Sequence, residues 1–191
     1  MPHINIEIKA RFKDNNRIRE ILRSQSADFK GADHQIDTYF NVSFGRLKLR
    51  EGTIENHLIH YSREDKEGPK QSNVILYKFD PASTLKDLLT RSLGVMTVVD
   101  KEREIYFVDN VKFHLDNVKG LGTFVEIEAI DYEGTIGRDE LLAQCQYYME
   151  LFAISRDDLI SRSYSDLIEI QQLQIDLLND IRKRVDGDST F

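Results

Sequence analysis

The sequence predicts an α+β protein built on a closed, eight-stranded antiparallel β-barrel with a charged lumen and helices packed outside it. Three observations carry this expectation. Apolar and polar residues alternate with period two over eight segments, the polar faces of several segments hold long side chains of one sign, and the remaining apolar periodicity is helical. At 191 residues the chain is long enough for one domain with a sizeable core and too short for two full ones.

The first strand is the clearest: Ile4, Ile6, Ile8, Ala10 and Phe12 alternate with Asn5, Glu7, Lys9 and Arg11, giving one apolar and one polar face. Asp14 then serves as N-cap for a helix carrying Ile18, Ile21 and Leu22. Strands follow at 35–41, 46–51 and 56–63, with a turn at Gly45. Residues 64–73 lack large apolar side chains and contain Gly68-Pro69, so they read as a solvated loop before a strand at 73–79. A helix from Ser83 through Leu85, Leu88, Leu89 and Leu93 stops at Gly94. Strands at 96–107, 111–118 and 123–131 are joined at Asp109-Asn110 and at the Gly120, Gly122 pair. A third helix covers Arg138 to Ala153. The tail helix, Leu167 to Val185, carries an apolar stripe of Ile170, Leu173, Leu177, Leu178 and Ile181 that suits core or homodimer contact. Residues 1–170 thus read as one domain and 171–191 as an appended helical extension.

Composition excludes several classes. No apolar run reaches the ~18 residues of a membrane span, and the first residues carry alternating charge instead of a signal-peptide core, so a soluble cytoplasmic protein without a membrane partner is expected. Cys145 is the single cysteine, so there is no internal disulfide and no cysteine cluster for zinc or iron–sulfur; a metal here is held by oxygen or histidine. With 26 Lys and Arg against 33 Asp and Glu, a formal charge of −7, a surface that tracks nucleic acid is not expected.

The polar strand faces are informative. Lys9 and Arg11, then Arg46, Lys48 and Arg50, then Lys101 and Arg103 put like charges on one side of successive strands. In an open sheet such faces point to water, but like charges on adjacent strands oppose pairing. Glu7, Asp116, Glu126 and Glu128 fall on the same alternation. Closing the sheet brings the basic and acidic faces across a common lumen, and charges removed from water need a partner. A polyanion with a divalent cation satisfies both signs: Arg and Lys suit phosphate oxygens, and carboxylates suit a hard cation such as Mg2+ or Mn2+. His114 is more simply a packed or hydrogen-bonded histidine than a ligand, and His3, His34, His57 and His60 show no metal spacing.

The segments resemble the CYTH, or triphosphate-tunnel metalloenzyme, superfamily over residues 3 to 168, most closely its class IV adenylyl cyclase branch. The residues that carry the resemblance are Asn5, Glu7 and Lys9, where the family has Glu-x-Glu-x-Lys and this chain lacks the first acid; Gln35, Asp37, Tyr39, Phe40; Arg46, Lys48, Arg50; Lys101, Arg103, Ile105, Tyr106, Phe107; His114 through Glu128; and Arg162, Ser163, Tyr164, Leu167. The resemblance implies an eight-stranded triphosphate tunnel, a divalent ion, Mg2+ or Mn2+, on Glu7, Asp116, Glu126 and Glu128, and phosphate binding by Lys9, Arg11, Lys48, Arg50, Arg63, Lys78, Lys101, Arg103 and Arg162. It also implies catalytic roles for Glu7, Lys9 and Glu126. The implied activity is ATP to cyclic AMP and pyrophosphate. Hydrolysis of an inorganic or thiamine triphosphate, or non-catalytic binding of polyphosphate or nucleotide, are the alternatives.

Overall fold

The computed structural model describes residues 3–187. Among them the order is β1 (His3–Arg11), α1 (Asn15–Ser24), β2 (Asp28–Phe40), β3 (Arg46–Gly52), β4 (His57–Arg63), β5 (Lys70–Lys78), α2 (Leu85–Leu93), β6 (Val95–Val108), β7 (Val111–Val118), β8 (Gly122–Asp131), α3 (Arg138–Leu151) and α4 (Tyr164–Gly187). The strands close in the order β1-β5-β4-β3-β2-β6-β7-β8, all pairs antiparallel.

The alternation places the two faces as the sequence requires. Ile6, Ile8 and Ala10 of β1, Phe113 and Leu115 of β7, and Val125, Ile127 and Ala129 of β8 point outward. There they pack beneath Ile18 and Leu22 of α1 and Leu141, Cys145, Tyr148 and Phe152 of α3. Burial of this apolar wall is what holds the helices against the barrel, at roughly 1.5–3 kcal/mol per large side chain. Asp14 caps α1 by accepting from the Arg17 amide at 3.2 Å. Asp131 aims α3 by gathering the amides of Gly134, Thr135, Ile136 and Gly137 at 2.7–3.1 Å. Asp109 turns β6 into β7 with a left-handed φ of 49°, which Asp tolerates better than most residues.

One barrel end is covered. Ile160 donates its amide to the Lys9 carbonyl at 2.8 Å, Leu159 bridges to Ala10, and Tyr164, Leu167 and Ile168 pack with Phe124, Val118 and Val99. Beyond this plug α4 stands away from the barrel, with Leu173, Leu177, Leu178 and Ile181 exposed. The stripe is therefore not core of this chain, and residues 188–191 of the expected extension lie outside the described residues.

Two strand starts differ most from the sequence reading. β5 begins at Lys70, inside the expected loop, because Lys70 and Ser72 continue the inward phase of Val74 and Leu76 and are buried despite being polar. β2 starts at Asp28, seven residues early, because β6 is long enough to pair with that half too; a register shift between Phe29 and Gly31 absorbs the irregularity, with Gly31 at φ 128°.

Candidate active site

The lumen contains two charged clusters. The first is centred on Asp37, which is 1% exposed. Its carboxylate accepts from Lys48 at 2.9 Å, from Arg50 through two bonds at 2.9 and 3.1 Å, and from Lys101 at 2.7 Å. Burial works to raise its pKa, and Arg50, Lys101 and Lys48 outweigh that, holding it well below the usual carboxylate range. Glu55, in the β3–β4 turn, extends this cluster by accepting from Arg50 at 2.9 Å and Lys112 at 2.5 Å. The turn itself is held by the buried Asp33, which accepts from the Ile54 and Glu55 amides and the Thr53 hydroxyl.

The second cluster lies on β1, β7 and β8. Glu126 accepts from Lys9 at 2.9 Å, Arg103 at 2.7 Å and His114 Nδ1 at 3.1 Å. Burial opposes its charge, but Lys9 and Arg103 prevail and keep it ionised well below the ordinary range. Glu128 lies 3.6 Å from the same His114 nitrogen. Glu7, opposite Glu128 in the β1–β8 register, pairs with Arg63. Lys9 also stands over the Tyr164 ring, 3.3 Å from its centroid, which is a cation–π contact. Asp116 accepts from Arg103 at 2.6 and 2.5 Å and from the Tyr164 hydroxyl at 2.7 Å.

Near the second cluster, Lys70 is buried with its ammonium donating to the carbonyls of Ile160 at 3.3 Å and Ser161 at 2.9 Å. Burial, with Arg63 and Lys9 nearby, pushes it down to about 7. Burial also lowers Lys101 to about 7, with Asp37 opposing the shift.

The barrel thus closes around buried cations and carboxylates held by the strand registry. The model of the CYTH domain matches residues 3–164. The chain belongs to the CYTH domain family.

The chain is also similar to several known proteins along most of its length. A Methanocaldococcus jannaschii protein named “Putative adenylate cyclase MJ0240” is 27% identical over 179 residues, 86% of this chain and 98% of that one. The solved structure of the PH1012 protein from Pyrococcus horikoshii OT3 is 25% identical, covers 85% of this chain and 98% of its own, and superposes with a TM-score of 0.68. A Hippeastrum protein described as “Putative adenylyl cyclase HpAC1” with a dominant triphosphatase activity is similar in fold, with a TM-score of 0.55 at 15% identity, covering 89% of this chain and 95% of its own.

Of the residues expected for a CYTH site, Glu7, Lys9, Lys48, Arg50, Arg63, Arg103, Glu126 and Glu128 line one common cavity. The others sit elsewhere. Lys101 is buried behind the cavity on Asp37, and Asp116 is buried on Arg103 and Tyr164, so each is satisfied within the wall. Arg11 is exposed, donating to the Leu121 carbonyl at 3.0 Å and lying over the Phe124 ring. Lys78 is exposed at the end of β5, and Arg162 is exposed just before α4. Asp37, Glu55, Lys70, Lys112 and His114 complete the clusters without having been singled out as site residues. Lys112 and His114 share the inward phase of Asp116, and that alternation could have marked them. Glu55 carries no such signal, because a turn has no period.

Proposed function

We propose that this CYTH protein is a divalent-metal-dependent enzyme that grips the phosphate chain of a triphosphate in its barrel and acts as an adenylyl cyclase-like lyase, converting ATP to cyclic AMP and pyrophosphate. The observation that carries the reading is the charge division of the lumen. Around Asp37 and Glu55, four cations, Lys48, Arg50, Lys101 and Lys112, meet two carboxylates, so this half carries positive charge that an anion would neutralise. In the other half, carboxylates and an imidazole converge.

The second half fits a divalent ion. One atom each from His114, Glu126 and Glu128 lies within 4.8 Å of the others. On β1, Asn5 is 4% exposed and its side-chain oxygen is buried without a hydrogen-bond partner, a state costly enough to suggest a missing ligand. Glu126, Glu128 and Glu7 would hold the ion, with Asn5 as a neutral donor. Bound there, Mg2+ or Mn2+ supplies charge that screens the phosphates and favours in-line attack.

The chain's own groups do the rest. Lys48 and Arg50, pre-oriented by Asp37, hold the outer phosphates, with Arg63 and Lys9 nearer the carboxylates. In cyclisation the ribose 3′-hydroxyl attacks the α-phosphorus and gives up its proton to solvent, the bond to the bridging oxygen breaks, and charge collects on departing pyrophosphate. Fixed cations stabilise that charge without reorganising. The name of the M. jannaschii relative supports the cyclase label. Hydrolysis of a triphosphate is the second reading, because the same cations grip a phosphate chain whatever is attached to it. Asn5 in place of the family's acid favours a third, binding without turnover.

Incubation with ATP, inorganic triphosphate and thiamine triphosphate, each with Mg2+ or Mn2+, decides among these by product identification. Cyclic AMP with pyrophosphate is the expected outcome. Orthophosphate release would replace the lyase reading with hydrolysis, and tight binding without product would replace both.

A further inference from the structure

His114 stands against two carboxylates of the proposed metal site, Glu126 and Glu128. Its ring is 1% exposed. Nδ1 faces Glu126 Oε2 at 3.1 Å and Glu128 Oε1 at 3.6 Å, while Nε2 is buried with no hydrogen-bond partner. A histidine kept for structure has its second nitrogen bonded to the surrounding wall, as buried polar atoms nearly always are. This one has no such tie.

The spacing matches shared coordination. Ligand bonds to small divalent ions run about 2.0–2.2 Å, and donors that far from one ion sit about 3.0 Å apart at octahedral and about 3.4 Å apart at tetrahedral angles, by the geometry of those bond lengths. The 3.1 Å separation to Glu126 falls at the octahedral value, and Glu128 at 3.6 Å lies just beyond the tetrahedral one. Pairing across β7 and β8 sets them: His114 stands opposite Glu126 in the register, and Glu128 follows on the same face. The buried Asn5 oxygen, also without a partner, lines the same cavity.

We infer that His114 Nδ1 is a direct ligand of the ion and that it biases the site toward a first-row transition ion over Mg2+. The inference rests on the proposed metal site and adds its ligand set and its selectivity. Mg2+ takes oxygen donors and retains water, whereas imidazole nitrogen suits the transition ions, least of them Mn2+, which serves here as the spectroscopic probe. A site with only carboxylates and an amide would show no such bias. One tautomeric change accompanies ligation: the proton that Nδ1 donates to Glu126 in the ion-free protein moves to Nε2.

The test uses the full-length protein, freed of metal and without nucleotide. Mn2+ is titrated in, and electron spin-echo envelope modulation is recorded on the bound ion. The expected result is one Mn2+ with nitrogen coupling that persists in His57→Gln, whose histidine also lines the cavity, and vanishes in His114→Gln. By calorimetry the ratio of Mn2+ to Mg2+ affinity should fall about tenfold in His114→Gln, the size typical of a lost ligand or its support. If that variant does not fold, His114→Asp carries the same expectations with an oxygen donor in place. Bound Mn2+ without nitrogen coupling in the unmodified protein, or an unchanged ratio in a folded variant, overturns the His114 assignment and leaves the metal site standing. No Mn2+ binding at all overturns both.

Discussion

Asp37→Asn removes one negative charge from a lumen proposed to hold an anion, so simple electrostatics says that a triphosphate should bind more tightly. Geometry says the opposite. The Asp37 carboxylate takes four hydrogen bonds from three cations on two neighbouring strands, and two of those cations, Lys48 and Arg50, line the cavity. An amide can accept through one oxygen only, and its NH2 group would face cations. Removing one partner of a buried ion pair costs about 3–5 kcal/mol, which for a chain of this size lowers the melting temperature by on the order of 10 °C. Adding Lys101→Met removes the ammonium stranded by the first change; Lys101 has a fully buried side chain and cannot touch a ligand, and its loss returns the cluster to its original net charge. The double variant should recover much of the lost melting temperature yet bind inorganic triphosphate about tenfold or more weakly than the unmodified protein, because a charge-assisted hydrogen bond that is no longer oriented forfeits on the order of 1.5–3 kcal/mol. Thermal melts and titration calorimetry read the two effects separately. A folded double variant that binds triphosphate as tightly as the unmodified protein, or more tightly, would refute the idea that Asp37 orients Arg50 and Lys48.

Two further outcomes follow from buried polar groups. Asn5→Glu places a second acid beside Glu7 on the same strand face: the metal-free protein should melt lower, Mn2+ should restore it by a larger increment than in the unmodified protein, and the metal concentration for half-maximal turnover should fall. Equal increments would put position 5 outside the metal site. Lys70 has a pKa of about 7 in the fold against an ordinary value of 10.5, so the unfolded chain binds more protons between those values and burial of this ammonium is a penalty present in full below pH 7 and relieved as pH rises toward 10.5. Lys70→Met should therefore raise the melting temperature relative to the unmodified protein more at pH 6 than at pH 10; a difference independent of pH would mean that Lys70 is not held neutral by its surroundings.

The strand pattern was legible because a closed barrel with a charged lumen keeps alternation along most of every strand, β2 with its register shifts excepted. Ile6, Ile8 and Ala10 had to face the helices, and Asn5, Glu7 and Lys9 had to face inward, whichever strands became their neighbours. β5 was misread at its start because its inward residues there are Lys70 and Ser72, and a polar pair next to Gly68-Pro69 has the local signature of a loop. Only closure of the barrel, which offers β1 as a partner from His3 to Glu7, makes that segment a strand.

Local chemistry thus determined, from the sequence alone, eight strands, the sign of each face and the kinds of group that meet in the lumen. Which of those groups meet a ligand and which meet each other was decided by registry. Lys101 and Arg103 are two residues apart on one strand and look alike in sequence. Yet Lys101 is sealed on Asp37, while Arg103 reaches past Asp116 to Glu126 and the cavity. Their partners come from β2 on one side and from β7 and β8 on the other, more than ten residues away along the chain in each case. The same holds for His114, whose meaning depends on Glu126 standing across from it. Charge and periodicity are properties of a strand, but the neutralisation of a charge is a property of the pair, and pairs form only when the sheet closes.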